Sequence, residues 1–370
     1  MIERTRFVGL DVHKVNIAVA VAEEGGGQPE DHGQIANDPS AIRKLMSRLG
    51  GTGVHLRVAY EAGPTGYALQ RQLTAMEIDC IVVAPSLIPK TPGDRVKTDR
   101  RDALKLARLH RSGDLTPVWI PDEAHEALRN LVRSRGDAKA DELRAKHRLS
   151  KFLLRQGERT PVGVRSWSTK YDTWLNRITF AHPADQVVFE DYRVVVRAAV
   201  DRVQRLEVAL LQCAETSAHV PMIAALQAFR GIRFLTAVTI VAEAGDLRRF
   251  TTARQFMSYV GVVPSEYSSG AAQHRGRITK TGNAHLRHVL GEAAHHARYA
   301  PALKGAVKQR QEGVPKEIVD LSWRAQQRLH LRYRHLSGRI GRNKAITAVA
   351  REFAGFVWAL GQMMEAPTAE

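Results

Sequence analysis

Val8-Gly9-Leu10-Asp11-Val12-His13 reads as a short buried strand with a carboxylate at its middle. Apolar neighbours flank Asp11 on both sides, and such a strand tolerates a charge only where something compensates it. A turn separates this run, Phe7 to His13, from a second apolar one, Asn16 to Ala22, and Gly25-Gly26-Gly27 separates that from a weaker third near His32 to Ala36. Together they predict a three-stranded meander. Beyond it the pattern predicts a helix from Ser40 to Leu49 behind the cap-like Asp38-Pro39, a strand from Val54 to Tyr60, a helix near Tyr67 to Met76 and a short strand from Cys80 to Val83. Leu87 to Lys97, basic and rich in proline and glycine, reads as an exposed loop before a helix from about Thr98 to His110. Three strands followed by alternating helix and strand make residues 1–120 an α/β domain.

The rest of the chain has a different texture. Residues 121–217 hold two long helical stretches, Glu123 to Gln156 and Asp185 to Thr216, joined by a polar segment, Thr160 to Tyr171. In the second stretch Val187, Tyr192, Val195, Ala199, Val203, Leu206, Leu210 and Cys213 recur at helical spacing and suit one buried seam, so a two-helix arm or coiled-coil dimerisation element is expected. Residues 218–370 read as an all-helical domain, with helices at Met222 to Phe229, Leu235 to Ala244, Thr252 to Tyr259, Ala284 to Ala300 and Lys344 to Met364 around a loop, Gly261 to Gly282. The fold class is therefore α/β plus all-α. With 370 residues, 44% of them apolar, the chain can bury two or three cores. Its longest uncharged apolar run, Phe353 to Met364, is shorter than the roughly 20 residues that a membrane span needs. No membrane partner or signal peptide is expected. Cys80 and Cys213 stand far apart and suggest neither a disulfide framework nor a metal cluster, which suits the cytoplasm.

Charge narrows the function. Lys and Arg number 55 against 38 Asp and Glu, a net +17, and an excess of this size points to a polyanion, for which nucleic acid is the natural choice. Between Arg275 and Lys344 sixteen basic residues face four acids. That stretch is either a phosphate-facing surface or a solubilising one.

Three further acids join Asp11. Glu61 ends the strand Val54 to Tyr60, where open α/β sheets present ligand groups. Asp99 and Asp102, three apart, share one face of the helix after the basic loop. Taken singly, Asp99 could be a helix cap or first-turn acid and Glu61 an exposed loop acid. Taken together, the four suit a pair of divalent cations such as Mg²⁺, which take oxygen ligands and clamp both oxygens of an in-line phosphoryl transfer. Further on, Ser268-Ser269-Gly270 reads by itself as a polar turn, just upstream of Arg275, Arg277 and Lys280. His285, His288, His295 and His296 have no completing ligands nearby and read as solvated or RNA-facing.

Val8-Gly9-Leu10-Asp11-Val12-His13-Lys14, Tyr60-Glu61-Ala62-Gly63-Pro64-Thr65-Gly66 and Lys97-Thr98-Asp99-Arg100-Arg101-Asp102-Ala103 resemble the DEDD-type amino-terminal domain of the bacterial insertion-sequence transposases of the family numbered one hundred and ten. Ser258-Tyr259-Val260-Gly261-Val262-Val263-Pro264, Ser268-Ser269-Gly270 and Gly276-Arg277-Ile278-Thr279-Lys280-Thr281-Gly282-Asn283 are similar to that family's carboxy-terminal transposase domain. The resemblance covers nearly the whole chain. It implies an RNase H-like domain of the Holliday-junction resolvase (RuvC-like) type, a helical arm and a helical transposase domain. It implies that Asp11, Glu61, Asp99 and Asp102 bind Mg²⁺ and that one of the two serines is the nucleophile, the acids and the serine forming one composite site. Of Ser268 and Ser269, the residue directly before Gly270, Ser269, is the one expected to react. Arg275, Arg277, Lys280 and Arg287 are then expected to contact nucleic acid. The implied partners are double-stranded donor and target DNA, a structured guide RNA encoded by the element, and further copies of the chain in a dimer or tetramer. A metal-dependent nuclease or junction resolvase using only the acids is the rival enzyme; a non-catalytic nucleic-acid-binding protein is the other alternative.

Overall fold

The computed structural model describes residues 4–89, 98–269 and 272–364, and the chain forms two compact units, Met1–Ile120 and Pro121–Glu370. In the first, β1 (Arg4–Val12), β2 (Asn16–Glu23), β3 (Glu30–Ala36), β4 (Val54–Glu61) and β5 (Asp79–Val83) make one sheet in the order β3-β2-β1-β4-β5. Short turns fold β1, β2 and β3 back antiparallel on one another. β4 lies parallel to β1 and β5 parallel to β4, because the helices α1 (Pro39–Leu49) and α2 (Ala68–Ala75) carry the chain back between them. Asp38 starts α1 by accepting hydrogen bonds from the backbone N–H groups of Ser40 and Ala41. Of the predicted basic loop, residues 90–97 lie outside the described residues.

Period-two alternation gives the sheet two different faces. Val8 and Leu10 of β1 face α1 and α2, packing with Ile17, Val58, Ile42 and Leu73. Phe7 and Gly9 face the other way, toward α3 (Asp99–Ser112), where Phe7, Ala18, Ala20 and Ala22 meet Ala103 and Ala107. This second face is built for close approach. A Cβ on Gly9 would stand 2.3 Å from the Ala103 carbonyl oxygen and 2.4 Å from the Ala107 nitrogen, so α3 rests on the bare backbone of β1. The far end of α3 is held by Arg111, which donates to the Glu23 and Gly27 carbonyls.

In the second unit the long helices α4 (Glu123–Arg155) and α6 (Pro183–Glu215) flank the short α5 (Thr169–Leu175). Leu149 and Phe152 near the end of α4 meet Phe189 and Val196 near the start of α6, whereas Leu128 and Val132 share a core with Leu210 and Ala214. The two helices are therefore antiparallel. The predicted seam holds in part: Val203 and Leu210 are buried and Tyr192, Ala199 and Cys213 partly so, but the fully inward row is Phe189, Val196, Val203 and Leu210, seven residues apart, and Val187 and Val195 lie outward. Valines on several faces of α6 left the periodicity ambiguous, and only the partner helix decides which face is buried.

The arm continues into a core formed by α7 (Val220–Gln227), α8 (Phe234–Ala244), α9 (Ala253–Val260), α10 (Ala284–Ala294), α12 (Lys316–Ile340) and α13 (Arg342–Met363), with α11 (Ala306–Arg310) beside it. This part is not all-helical. The expected loop between Gly261 and Gly282 contains an antiparallel hairpin, β6 (Pro264–Ser269) and β7 (Ala272–Ile278). Its residues are largely polar, and it is held by main-chain pairing without the apolar alternation by which a strand is read. The helix expected to reach Ala300 stops at Ala294 and passes into a 3₁₀ turn, His295–Arg298.

Candidate active-site acids and the hairpin serine

Leu10 of β1 lies beside Tyr60 of β4, and both side chains enter the core under α1 and α2. The next residue on each strand is an acid, so Asp11, one residue before the end of β1, and Glu61, the last of β4, lie near the same end of neighbouring parallel strands on the opposite face, the face covered by α3. The first turn of α3 brings Asp99 and Asp102 to this edge. Thr98, not Asp99, caps the helix, its hydroxyl accepting from the Arg101 N–H at 3.3 Å. Arg100 pairs with Asp31 of β3 at 2.6 Å and ties the same turn to the sheet.

One residue missed in the sequence sits at the centre. The Nε2 atom of His13 lies 3.3 Å from Asp11 Oδ2 and 3.4 Å from Asp99 Oδ1, so the imidazole bridges the two carboxylates. Its place was legible: two residues beyond Asp11, it continues the alternation onto Asp11's face. The ligand atoms of Asp11, His13 and Asp99 all fall within 4.8 Å of one another, spacing that can hold a metal ion. Burial raises the Asp11 carboxyl above its ordinary value; His13 opposes the shift, and the neighbouring Asp102 and Asp99 carboxylates add to it. Three carboxylates gathered at a partly buried point repel one another, and a hard cation relieves both the repulsion and the burial cost. The donor set thus fits such an ion. Glu61 joins through strand register; the close cluster itself is Asp11, His13 and Asp99, with Asp102 in electrostatic range.

In the second unit Ser269 is the last residue of β6, exposed at the tip of the hairpin opposite Ala272, and Ser268 pairs with Gln273. Gly270 of the Ser-Ser-Gly string lies outside the described residues. On β7, Arg275 is in register with Glu266, and Arg277 is exposed. Lys280 is exposed in a left-handed conformation, φ 56°. Arg287 is turned toward the fold: its Nη1 donates to the Val260 carbonyl at 2.9 Å and closes the end of α9.

The base of the hairpin explains the rest of the Gly-Arg-Ile-Thr-Lys-Thr-Gly-Asn string. A Cβ on Gly282 would lie 2.2 Å from the Tyr259 carbonyl oxygen, so only glycine passes there. Asn283 caps α10 through its Oδ1 and donates through Nδ2 to Glu243 Oε2 at 2.7 Å. Glu243, 1% exposed, also receives a two-pronged contact from Arg133 of α4, at 2.7 and 2.9 Å. Burial alone would raise the Glu243 carboxyl, but the Arg133 and Asn283 hydrogen bonds outweigh it and hold the group below its ordinary value. A buried carboxylate therefore joins the arm to the loop that ends the hairpin.

Known proteins share both halves. A family model described as "Transposase IS116/IS110/IS902 family" matches residues 223–307, and the DEDD transposase model of the IS110 type matches residues 8–156. The protein y4qE of Sinorhizobium fredii, named as a transposase, is 42% identical over 97% of this chain and 89% of its own length. The transposase for insertion sequence element IS1533 of Leptospira borgpetersenii is 31% identical over 90% of this chain and 97% of its own. The pilin gene-inverting protein of Moraxella bovis is 24% identical over 62% of this chain and 63% of its own. The chain belongs to the IS110-type DEDD transposases of insertion sequences, enzymes that act on DNA. Among the described residues no helix is long and apolar enough to cross a membrane.

Proposed function

We propose that this transposase cuts and rejoins DNA strands through Ser269, with Asp11, Glu61, Asp99 and Asp102 holding Mg²⁺ in an RNase H-like (RuvC-like) amino-terminal domain. The observation that carries the reading is the convergence of Asp11 and Asp99 on His13 at the edge of a sheet ordered β3-β2-β1-β4-β5. Bound Mg²⁺ would neutralise charge on the phosphate and hold it for in-line displacement. Ser269 Oγ attacks phosphorus; one phosphorus–oxygen bond to serine forms as one within the strand breaks. The freed strand end takes up the proton that the hydroxyl gives up, and the phosphodiester to the protein keeps the bond energy for rejoining. A relative named for gene inversion supports rejoining over simple cleavage, because inversion needs both. Arg275, Arg277 and Lys280 hold phosphate beside the serine, and Arg287 shapes their support from beneath.

The partners in this reading are double-stranded donor and target DNA, a structured guide RNA, and a second copy of the chain. The net +17 suits the two nucleic acids together. Val187, Val194 and Val208 of α6 and Leu143 and Leu154 of α4 leave apolar surface exposed along the arm, which supports a homo-oligomer, dimer or tetramer, joined through a coiled-coil contact. Trapping the reaction on a nicked substrate tests the chemistry. A protein–DNA adduct that survives denaturation and maps to the Ser269 peptide is expected; free ends under every condition would instead support the metal-dependent resolvase.

A further inference from the structure

The hairpin and the last two long helices enclose a cavity of about 1070 Å³. Its walls carry six cations, Arg277 and Lys280 from the hairpin side, Arg328 and Arg332 from α12, and Lys344 and Arg351 from α13. A single carboxylate, Glu352, stands among them, 2.5 Å from Arg328 and 3.9 Å from Arg332. So many like charges around one space repel one another across it and cost stability unless an anion enters. Arg328 and Arg332 are one helical turn apart and so form a row along α12. Lys344 and Arg351, two turns apart, form a second row along α13.

The start of α13 sharpens the point. Its first turn carries Arg342 and Lys344 and no acid, placing cations at the positive end of the helix dipole, where they are unfavourable. An anion placed against that turn would reverse the sign of the effect. The space is at the upper end of the roughly 300–1000 Å³ of small-molecule pockets, and its lining has no aromatic side chain on which a base could stack. A length of polyanion held by its backbone suits it better than a metabolite or a base-reading contact.

We infer that the groove between the β6–β7 hairpin and helices α12 and α13 binds the sugar–phosphate backbone of a nucleic-acid strand, gripping phosphates without reading bases. The inference rests on the reading of the chain as a transposase that handles DNA and RNA, and it extends the nucleic-acid surface from the hairpin to Arg328, Arg332, Lys344 and Arg351. Glu352 acts as the internal counter-ion of the empty groove. Entering phosphate competes with it for Arg328 and Arg332, so the carboxylate weakens binding and lets the strand be released.

Binding of the full chain to oligodeoxythymidine and to oligouridine of equal length, each titrated across salt, tests this without any strand chemistry. Arg328→Gln with Arg332→Gln, and separately Lys344→Gln with Arg351→Gln, are expected to lower the slope of log affinity against log salt by about one to one and a half units, with thermal melting held or raised as like charges are removed. A larger loss for one polymer assigns the strand to that nucleic acid, and equal losses assign a grip common to both. Glu352→Gln is expected to tighten binding about two- to fivefold at low salt. Unchanged slopes in both double variants would overturn the groove, and weaker binding in Glu352→Gln would overturn the counter-ion role. The serine adduct in the wild-type protein is scored separately, so failure of the groove and failure of the recombinase reading give different results.

Discussion

The amino-terminal acids and the carboxy-terminal hairpin place the groups proposed to react by opposite means. At the sheet, position comes from packing: glycine and alanine side chains let α3 lie on β1, and that closeness carries Asp99 to His13 and Asp11. At the hairpin the reactive candidate is an exposed residue on a polar ribbon, and order comes from below, through Gly282, Asn283 and the buried Glu243. The first site is exacting about volume. The second depends on a hydrogen-bonded network and on charge. Substitutions of the two kinds should therefore fail in different ways.

The largest effects should fall on the groups proposed to react, without disturbing the fold. Asp11→Asn and Ser269→Ala are each expected to lower strand exchange by about a thousandfold or more. Ser269 is exposed, so its loss should leave thermal melting unchanged, and Asp11→Asn removes a charge repelled by its neighbours, so melting should hold or rise. Strand exchange retained by Asp11→Asn would remove the acids from the chemistry. A sharp loss of melting temperature in that variant would show that Asp11 is structural, and the contrast between the sites would collapse.

How legible each site was follows from the same contrast. Asp11 stood out because packing alone cannot justify a carboxylate in an apolar strand, and the meander and crossover order around it follow from apolar runs and turn glycines. His13 was missed although the apolar run is read as reaching it, because a single histidine at the end of a strand carries no pattern that marks it as a ligand. The hairpin was invisible because Ser265, Glu266, Tyr267 and Ser269 have no buried face to pattern. Glu243, in an apolar helix, gave no sign of its partners, which lie 110 and 40 residues away in the chain. Local pattern reports burial; it does not report which distant polar group satisfies another.

His13 offers a graded test of the packed site. If its imidazole shares a metal ion with Asp11 and Asp99, His13→Ala should raise the Mn²⁺ or Mg²⁺ concentration for half-maximal strand exchange by about ten- to a hundredfold. Activity at saturating metal should recover in large part. A fall in maximal activity with no change in metal requirement would give His13 a different role.

Gly9 then separates volume from chemistry. Gly9→Ala drives a methyl group into the α3 backbone and is expected to cost about 1–3 kcal/mol, read by denaturant unfolding, with loss of activity as the Asp99 turn moves off β1. Gly291→Ala, in α10 with open space around it, should instead stabilise by about 0.5–1 kcal/mol. Equal effects at the two glycines would mean that α3 adjusts freely, and the sheet site would not be the exacting one.

A modest expected effect concerns the network under the hairpin. The folded Glu243 carboxyl lies below its unfolded value, so its stabilising contribution is present above the ordinary carboxylate range and is lost as pH falls through the lower, folded value. Glu243→Gln keeps the shape and one accepting oxygen, but its amide N–H₂ then faces a donor that the second carboxylate oxygen had satisfied. Part of this cost is met by water, because the Arg133 side chain is 43% exposed and so partly hydrated already. The loss at neutral pH should be modest, about 1–2 kcal/mol, and should shrink in acid, where the wild-type group is itself protonated. Stability curves of the two proteins should therefore converge as pH is lowered. Curves that stay parallel would show that the Glu243 charge contributes nothing to the fold and that the hairpin's base is held by shape, as the sheet site is.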